Sequence, residues 1–229
     1  MTGTLYGVGV GPGDPDLITL KAVRVLGAVP VIAYPATQNG ESLARHVAQP
    51  HLVPGRIEIA FTIDITRPHA DNEARYDAAA ERIARELTAG RDVAALCEGD
   101  PLLYGSFVYL AERLARFPIV VIPGVSSVMA AAAVSHRPLA TGTDPLIVIP
   151  ASLPEDTLTR HLTEARAVAL IKVGRHFAKA KRALAAAGLR DGATVASRVG
   201  FADERVAPLT SIGEESIPYF SVILARRPS

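Results

Sequence analysis

The sequence predicts an α/β protein of two α/β domains, the first with a mainly parallel sheet and the second with a mixed sheet. In the first half, short apolar runs alternate with helical stretches, which is the pattern of βαβ units. Most of these runs are apolar throughout, as expected for strands that are covered on both faces. Around Arg137–Pro145 the periodicity gives way to Pro, Thr, Gly and Asp, so we predict domains at residues 1–138 and 139–229.

The elements of the first domain follow from apolar spacing and from residues that start or end helices. The predicted strands are Leu5–Val10, Val29–Tyr34, Ile57–Phe61, Asp92–Cys97 and Ile119–Ile122. The predicted helices are Leu17–Leu26, Ala70–Thr88 and Ser106–Arg116. Asp14-Pro15-Asp16 is the expected cap of the first helix, Pro35 the expected end of the second strand, and Gly90 the end of the long helix.

The second half is predicted to form a smaller α/β domain with some antiparallel pairing. Its predicted strands are Leu146–Ile149, Ala167–Lys172, Ala193–Val199 and Phe220–Ala225. Helices are expected between them, at Glu155–Glu164 and Phe177–Ala187.

Composition excludes several classes of protein. The 229 residues carry 24 Lys and Arg against 23 Asp and Glu, a net charge of +1, which disfavours binding to nucleic acid through phosphate neutralisation. No apolar run approaches the roughly 20 residues that span a bilayer, and no signal sequence opens the chain, so we expect a soluble, cytoplasmic protein without a membrane partner. The single cysteine, Cys97, rules out an internal disulfide and a thiolate-rich metal site, and we expect no bound metal.

Three glycine-rich turns each follow a predicted strand. They are GVGVGPGDPD at Gly7–Asp16, CEGDPLLYGS at Cys97–Ser106 and IPGVSS at Ile122–Ser127. Turns without Cβ atoms let a backbone approach a ligand closely, and the carboxyl ends of parallel strands are where open α/β sheets bind ligands. Three such turns in one sheet would present their groups at one edge.

Each turn also has a structural explanation. The first resembles a dinucleotide-binding fingerprint, but the second strand ends without the acidic residue that would bind a ribose, which counts against a nicotinamide-dependent dehydrogenase. Asp100 and Pro101 fit the cap and first position of the next helix, and the two serines of the third turn fit a helix cap. Glu98 and Asp100 are two carboxylates at one strand tip, an unfavourable placement unless donors or a cation meet their charges.

With these three turns in this order and spacing, the whole chain resembles the tetrapyrrole methylase family, the class III S-adenosylmethionine-dependent methyltransferases. The resemblance implies that S-adenosylmethionine binds in a cleft between two domains, held mostly by backbone, and leaves as S-adenosylhomocysteine. Matching the family motifs assigns the cofactor contacts to Pro12, Glu98, Gly99, Asp100, Leu103, Ser126, Ser127, Val173, Val199 and Gly200.

Three further segments resemble the branch of this family that methylates the C20 meso carbon of precorrin-2 in cobalamin biosynthesis: VIAYPA at Val31–Ala36, TRPHADNEARYDAAA at Thr66–Ala80 and SRVGFADERV at Ser197–Val206. Relatives that methylate uroporphyrinogen carry an Asp after the second strand. This chain has Pro35 there, which makes that substrate less favoured.

A sulfonium methyl is already activated, so the protein has mainly to align the reacting atoms, which is worth roughly 7–11 kcal/mol. If a side chain removes the proton, Tyr104, His69 and His136 are the candidates. A polycarboxylate tetrapyrrole needs cationic donors, for which Arg67, Arg75, Arg137 and Arg175 are candidates. Relatives form homodimers, which implies the same here.

The sequence leaves other functions open. Within the fold, the target could be another tetrapyrrole carbon, cobalt-precorrin-2, diphthine or ribosomal RNA. A tetrapyrrole carrier without enzymatic activity would keep the arginines but would give the two strand-tip carboxylates no purpose.

Overall fold

A computed structural model describes residues 1–64, 69–213 and 216–227, which form two compact units, residues 1–126 and 127–229. In the first unit the strands are β1 (Leu5–Gly9), β2 (Val31–Ala36), β3 (Ile57–Thr62), β4 (Val93–Cys97) and β5 (Ile119–Ile122). Its helices are α1 (Leu20–Ala28), α2 (Leu43–Ala48), α3 (Glu73–Thr88) and α4 (Phe107–Arg113). The strands form one parallel sheet in the order β3-β2-β4-β1-β5, which confirms the predicted class of the first sheet.

The second unit opens with helix α5 (Ser127–Val134) and contains α6 (Glu155–Glu164) and α7 (Phe177–Ala186). Its strands are β6 (Leu146–Pro150), β7 (Ala167–Ile171), β8 (Thr194–Ser197), β9 (Arg205–Pro208) and β10 (Ser221–Arg226). The sheet order is β6-β7-β10-β8-β9, with β6 and β7 parallel and the other pairs antiparallel. The predicted mixed sheet is therefore confirmed.

Helix α5 explains where the units divide. Its Val128, Ala130 and Ala131 are buried in one apolar cluster with residues of the second sheet, such as Ala196 and Leu224. The helix therefore belongs to the second unit, and the units divide at Ser126/Ser127. The expected boundary after residue 138 followed the change in composition, which comes later in the chain than this change in packing.

The start of α1 differs from the prediction because the Asp14 cap serves another element. Asp14 accepts the Asp16 N–H at 2.9 Å and caps a short 3₁₀ turn at Pro15–Leu17. The α-helix begins at Leu20, where the Thr19 hydroxyl accepts the Ala22 N–H at 3.2 Å. Asp14 therefore caps the turn, and a second cap starts the helix.

Pro35 does not end β2, which continues to Ala36. Strand β2 pairs with β3 along its whole length but with β4 only at Val31–Ala33, so Pro35 lies where the strand has one neighbour. A proline is tolerated there because it removes no hydrogen bond from a second ladder.

Two short elements of the structure were not predicted from the sequence. They are helix α2 and strand β9, which are only six and four residues long.

The core of the first unit lies between the sheet and helices α3 and α4. Buried residues of α3, such as Ile83 and Leu87, share a cluster with Phe107 and Leu110 of α4. In the second unit, Leu158 and Leu162 of α6 pack with Phe177 and Leu184 of α7 in a separate cluster. Among the described helices, none is both long and apolar enough to cross a membrane.

Candidate active site

The three glycine-rich turns meet at one edge of the first sheet. They follow β1, β4 and β5, which are adjacent and parallel, so their carboxyl ends lie together. Gly11 and Gly99 exchange backbone hydrogen bonds, with the Gly99 N–H donating to Gly11 O at 2.8 Å and the Gly11 N–H to Gly99 O at 3.4 Å. The prediction that the turns share an edge is confirmed.

Glycine at two of these positions is required by contacts between the turns. A Cβ atom on Gly124 would lie 2.1 Å from the carbonyl oxygen of Gly99, and one on Gly9 would lie 2.6 Å from that same oxygen. Both distances are far below van der Waals contact with backbone that has little room to move. The glycines of the three turns therefore let the turns pack on one another, in addition to any ligand that they admit.

Asp100 joins the second turn to the third. Its Oδ1 accepts the Leu102 N–H at 2.9 Å, and its Oδ2 accepts the Gly124 N–H at 3.1 Å. The expectation that Asp100 caps the following helix is wrong, because α4 begins only at Phe107, after the whole turn. Pro101 likewise lies in the turn and not in the first position of a helix.

Glu98 reaches a different element. Desolvation raises the pKa of the Glu98 carboxyl, and the backbone N–H groups of Glu98 itself and of Ala44, at the start of α2, oppose this rise. Of the two strand-tip carboxylates, Asp100 therefore meets backbone donors, as expected for a charged group at this place. Cys97, the residue before Glu98, is buried, and desolvation raises the pKa of its thiol to about 12, so it is no nucleophile.

The Leu102–Tyr104 segment of the second turn is exposed although it is apolar. Leu102 is 61% exposed, Leu103 41% and Tyr104 49%, and Tyr104 has a left-handed backbone with φ of 56°. Strained residues of this kind concentrate at functional sites. This segment gives the edge an apolar surface beside the polar backbone of the turns.

The remaining cofactor candidates lie in several turns. Pro12 is half-buried in the first turn, Ser126 is buried at the end of the third, and Ser127 begins α5 of the second unit. In the second unit, Val173 and Val199 are buried just after β7 and β8. The Gly200 N–H is already engaged, because it donates to the Glu204 carboxylate at 2.8 Å.

The other candidates for catalysis and substrate binding are dispersed. Within the second unit, His136 lies in the turn after α5 with φ of 50°. Arg137 donates to the Thr194 hydroxyl at 2.7 Å, at the amino end of β8. Arg175 lies in a 3₁₀ turn after β7, and the structure therefore does not bring it together with Arg137. Arg75 lies half-buried on α3, whereas Arg67 and the side chain of His69 fall outside the described residues.

Sequence reasoning missed a buried amide beside this region. Asn72 is 3% exposed, and its side chain both accepts the Asp64 N–H and donates to the Asp64 carbonyl, each at 3.0 Å. These two bonds join Asp64, two residues after the end of β3, to Asn72, the residue before α3. No motif could have revealed them, because the partner is backbone.

The comparisons with known proteins decide the family. Residues 4–214 match the Tetrapyrrole (Corrin/Porphyrin) Methylases. The chain belongs to this family. The resemblance drawn from the three turns is thereby confirmed.

Curated relatives cover nearly all of the chain. It is 44% identical to "Cobalamin biosynthesis protein CobIJ" of Mycobacterium tuberculosis (strain H37Rv), over 97% of this chain but 46% of that protein, so the chain spans about half the length of this relative. It is 39% identical to "Precorrin-2 C(20)-methyltransferase" of a Sinorhizobium species, covering 97% of this chain and 94% of the relative. "Cobalt-precorrin-2 C(20)-methyltransferase" of Salmonella typhimurium is 32% identical, covering 99% and 98%.

Solved structures of the family share the fold. A cobalt precorrin-4 methyltransferase, CbiF, gives a TM-score of 0.76 at 24% identity and covers 97% of this chain and 94% of its own. Uroporphyrin-III C-methyl transferase from Thermus thermophilus, complexed with S-adenosylhomocysteine, gives 0.71 at 22% identity, covering 98% and 97%. These likenesses extend over both units of the chain.

Proposed function

We propose that this chain transfers a methyl group from S-adenosylmethionine to the C20 meso carbon of precorrin-2 in cobalamin biosynthesis. The observation that carries the proposal is the match along 94% of a relative named precorrin-2 C(20)-methyltransferase. The three converging turns support the cofactor, and Pro35 in β2 supports a substrate other than uroporphyrinogen. The cytoplasm is the proposed location, and a homodimer the proposed assembly.

The first sheet's edge suits the proposed cofactor chemically. It offers backbone groups of three turns together with the exposed apolar Leu103, and an adenosyl group needs both polar and apolar contacts. When bound, S-adenosylmethionine supplies an activated methyl on a sulfonium. We propose that Pro12, Gly99, Ser126 and the other residues matched by motif hold it.

The work left to the protein is alignment. Asp100 fixes the second turn against the third, so groups on both turns keep one relative position. Holding the reactants in line lowers the activation free energy by roughly 7–11 kcal/mol. We propose Tyr104, on its left-handed backbone, as the described side chain placed to assist loss of the proton, with His69 and His136 as alternatives.

A cobalt-containing substrate is the second candidate. The Salmonella relative, named for cobalt-precorrin-2, also covers 99% of this chain, although at lower identity than the relative named for precorrin-2. Both substrates have the same carbon skeleton, so both require donors for carboxylates. We propose Arg67, Arg75, Arg137 and Arg175 among them.

The test is a labelling experiment with the purified chain. Precorrin-2 made enzymatically and S-adenosylmethionine with a ¹³C-labelled methyl are incubated with the protein, and NMR locates the new methyl group. Cobalt-precorrin-2 is run in parallel. A label at C20 supports the proposal; a label at another carbon, or no transfer to either substrate, refutes it.

Cofactor binding is measured separately. S-adenosylhomocysteine should raise the melting temperature, whereas NADH should not. A rise in melting temperature with NADH alone would instead favour a nicotinamide-dependent dehydrogenase, the alternative that the first turn suggested.

A further inference from the structure

Two strands of the second sheet end in the same short motif. Strand β7 is followed by Lys172-Val173-Gly174 and strand β8 by Arg198-Val199-Gly200. In both, the cationic residue has a left-handed backbone, with φ of 54° at Lys172 and 50° at Arg198. This conformation is strained for a residue other than glycine, and strained residues concentrate at functional sites, so two of them in equivalent positions point to a function.

The two cationic residues lie at the same edge of the sheet. Strands β7 and β8 run in the same direction on either side of β10, and each is antiparallel to it. Leu170 pairs with Ile223, and Ser197 pairs with Ser221, so both strands end near the first residues of β10. Two strand spacings separate β7 from β8, which is roughly 10 Å.

The guanidinium of Arg198 is held in place by its own turn. Its Nε donates to Asp203 Oδ1 at 2.6 Å, and its Cζ lies 4.8 Å from the centre of the Phe201 ring. Arg198 lowers the pKa of the Asp203 carboxyl, which keeps the pair ionised. The turn itself is closed by Phe201 N–H donating to Arg198 O and by Glu204 bound to the Gly200 N–H.

This arrangement leaves the two terminal nitrogens of the Arg198 guanidinium available to bind an anion. In the described part of the chain, Asp203 engages only the Nε, and neither terminal nitrogen of Arg198 has a hydrogen-bond partner. Two parallel N–H groups of an arginine match the two oxygens of a carboxylate. Lys172, which is exposed, adds a second positive charge along the same edge.

We propose that Arg198 and Lys172 bind carboxylate side chains of the tetrapyrrole substrate, with Arg198 as the prepositioned anchor. The inference rests on the proposed function, because that function supplies a polycarboxylate ligand. The cofactor also carries a carboxylate, so the experiment must separate the two sources.

Binding is measured with sirohydrochlorin, the oxidised form of precorrin-2 with the same carboxylates, by absorbance titration. S-adenosylhomocysteine binding is measured by calorimetry. The variants are Arg198→Asn and Lys172→Asn, since asparagine tolerates a left-handed backbone and carries no charge. Arg160→Gln, which removes an exposed charge from α6, is the control.

We expect Arg198→Asn to weaken sirohydrochlorin binding roughly tenfold, as for loss of a charge-assisted hydrogen bond. Lys172→Asn should weaken it several-fold, while the S-adenosylhomocysteine affinity of both variants and both affinities of Arg160→Gln stay at the wild-type values. Unchanged sirohydrochlorin binding in Arg198→Asn overturns the proposal, and so does a loss confined to S-adenosylhomocysteine. If the wild-type protein does not bind sirohydrochlorin, the proposed function fails first.

Asp203→Ala separates positioning from simple charge. Removing this carboxylate makes the edge more positive, so attraction alone would tighten sirohydrochlorin binding. If Asp203 holds the guanidinium in its binding orientation, the same substitution weakens binding. Tighter binding in Asp203→Ala would contradict the role of Arg198 as a prepositioned anchor.

Discussion

Replacing Gly124 by alanine tests whether the three turns must touch. The added Cβ would lie 2.1 Å from the Gly99 carbonyl oxygen and 2.9 Å from the Gly9 Cα, so backbone would have to move by about 1 Å. Overpacking of this kind costs about 1–3 kcal/mol, and moving the turn also weakens the bond from the Gly124 N–H to Asp100. With about 1–3 kcal/mol for that bond, the total is about 2–6 kcal/mol.

For a chain of this length, that loss lowers the melting temperature by about 4–24 °C, at about 2–4 °C per kcal/mol. It is measured by circular dichroism on heating, together with S-adenosylhomocysteine affinity, which should also fall. The matched control is Gly27→Ala in α1, where a Cβ meets nothing within 4 Å. Because alanine favours helix, this variant should gain about 0.5–1 kcal/mol.

The reasoning would be refuted if Gly124→Ala melted with the wild-type protein and bound S-adenosylhomocysteine equally well. The turns could then separate without cost, and their close packing would have no part in forming the site. A lower melting temperature with unchanged affinity would assign the packing to stability alone.

Two further predictions concern stability. Arg227→Ala should cost about 1–3 kcal/mol in urea unfolding, because this guanidinium donates to carbonyls at the ends of α6 and α7, those of Leu162, Thr163, Ala165 and Ala187. Arg227→Lys should recover only part of the free energy of unfolding that Arg227→Ala loses. Full recovery would contradict a role for the several N–H donors of the guanidinium. Because the folded protein raises the pKa of Glu98 above its ordinary 4.5, the group binds more protons folded than unfolded, and its contribution to stability is lost as pH rises through that raised pKa. As pH rises from about 4.5 through the raised pKa, the melting temperature of Glu98→Gln should fall less steeply than that of the wild-type protein. Parallel plots of melting temperature against pH for the two proteins would show that Glu98 does not titrate in this range.

Much of the fold could be predicted because it depends on local pattern. The strands β4 and β5 are continuous apolar runs, and the long helix α3 places Tyr76, Ala80 and Ile83 on its buried face. The short elements α2 and β9 carry too few residues for a period to stand out. Whether they form depends on neighbouring elements, as for β9, which pairs with β8.

The hydrogen-bond partners of the site residues could not be predicted, because they too depend on elements that are distant in the sequence. Asp14 and Asp100 both precede proline and both look like helix caps, but Asp14 caps a 3₁₀ turn and Asp100 binds the Gly124 N–H, 24 residues away. Sequence specifies which donors and acceptors a segment carries. Which of them meet is decided when the strands are paired.

By itself, the sequence determined the two α/β units, the parallel and mixed sheets, the family and the three turns at one sheet edge, because apolar periodicity and glycine placement are written along the chain. Only the tertiary structure decided that Gly9 and Gly124 pack directly against Gly99. It also decided that Lys172 and Arg198 have the same left-handed backbone conformation, in strands on either side of β10. Those facts join residues far apart in the chain, and pairing of the strands is what brings them close.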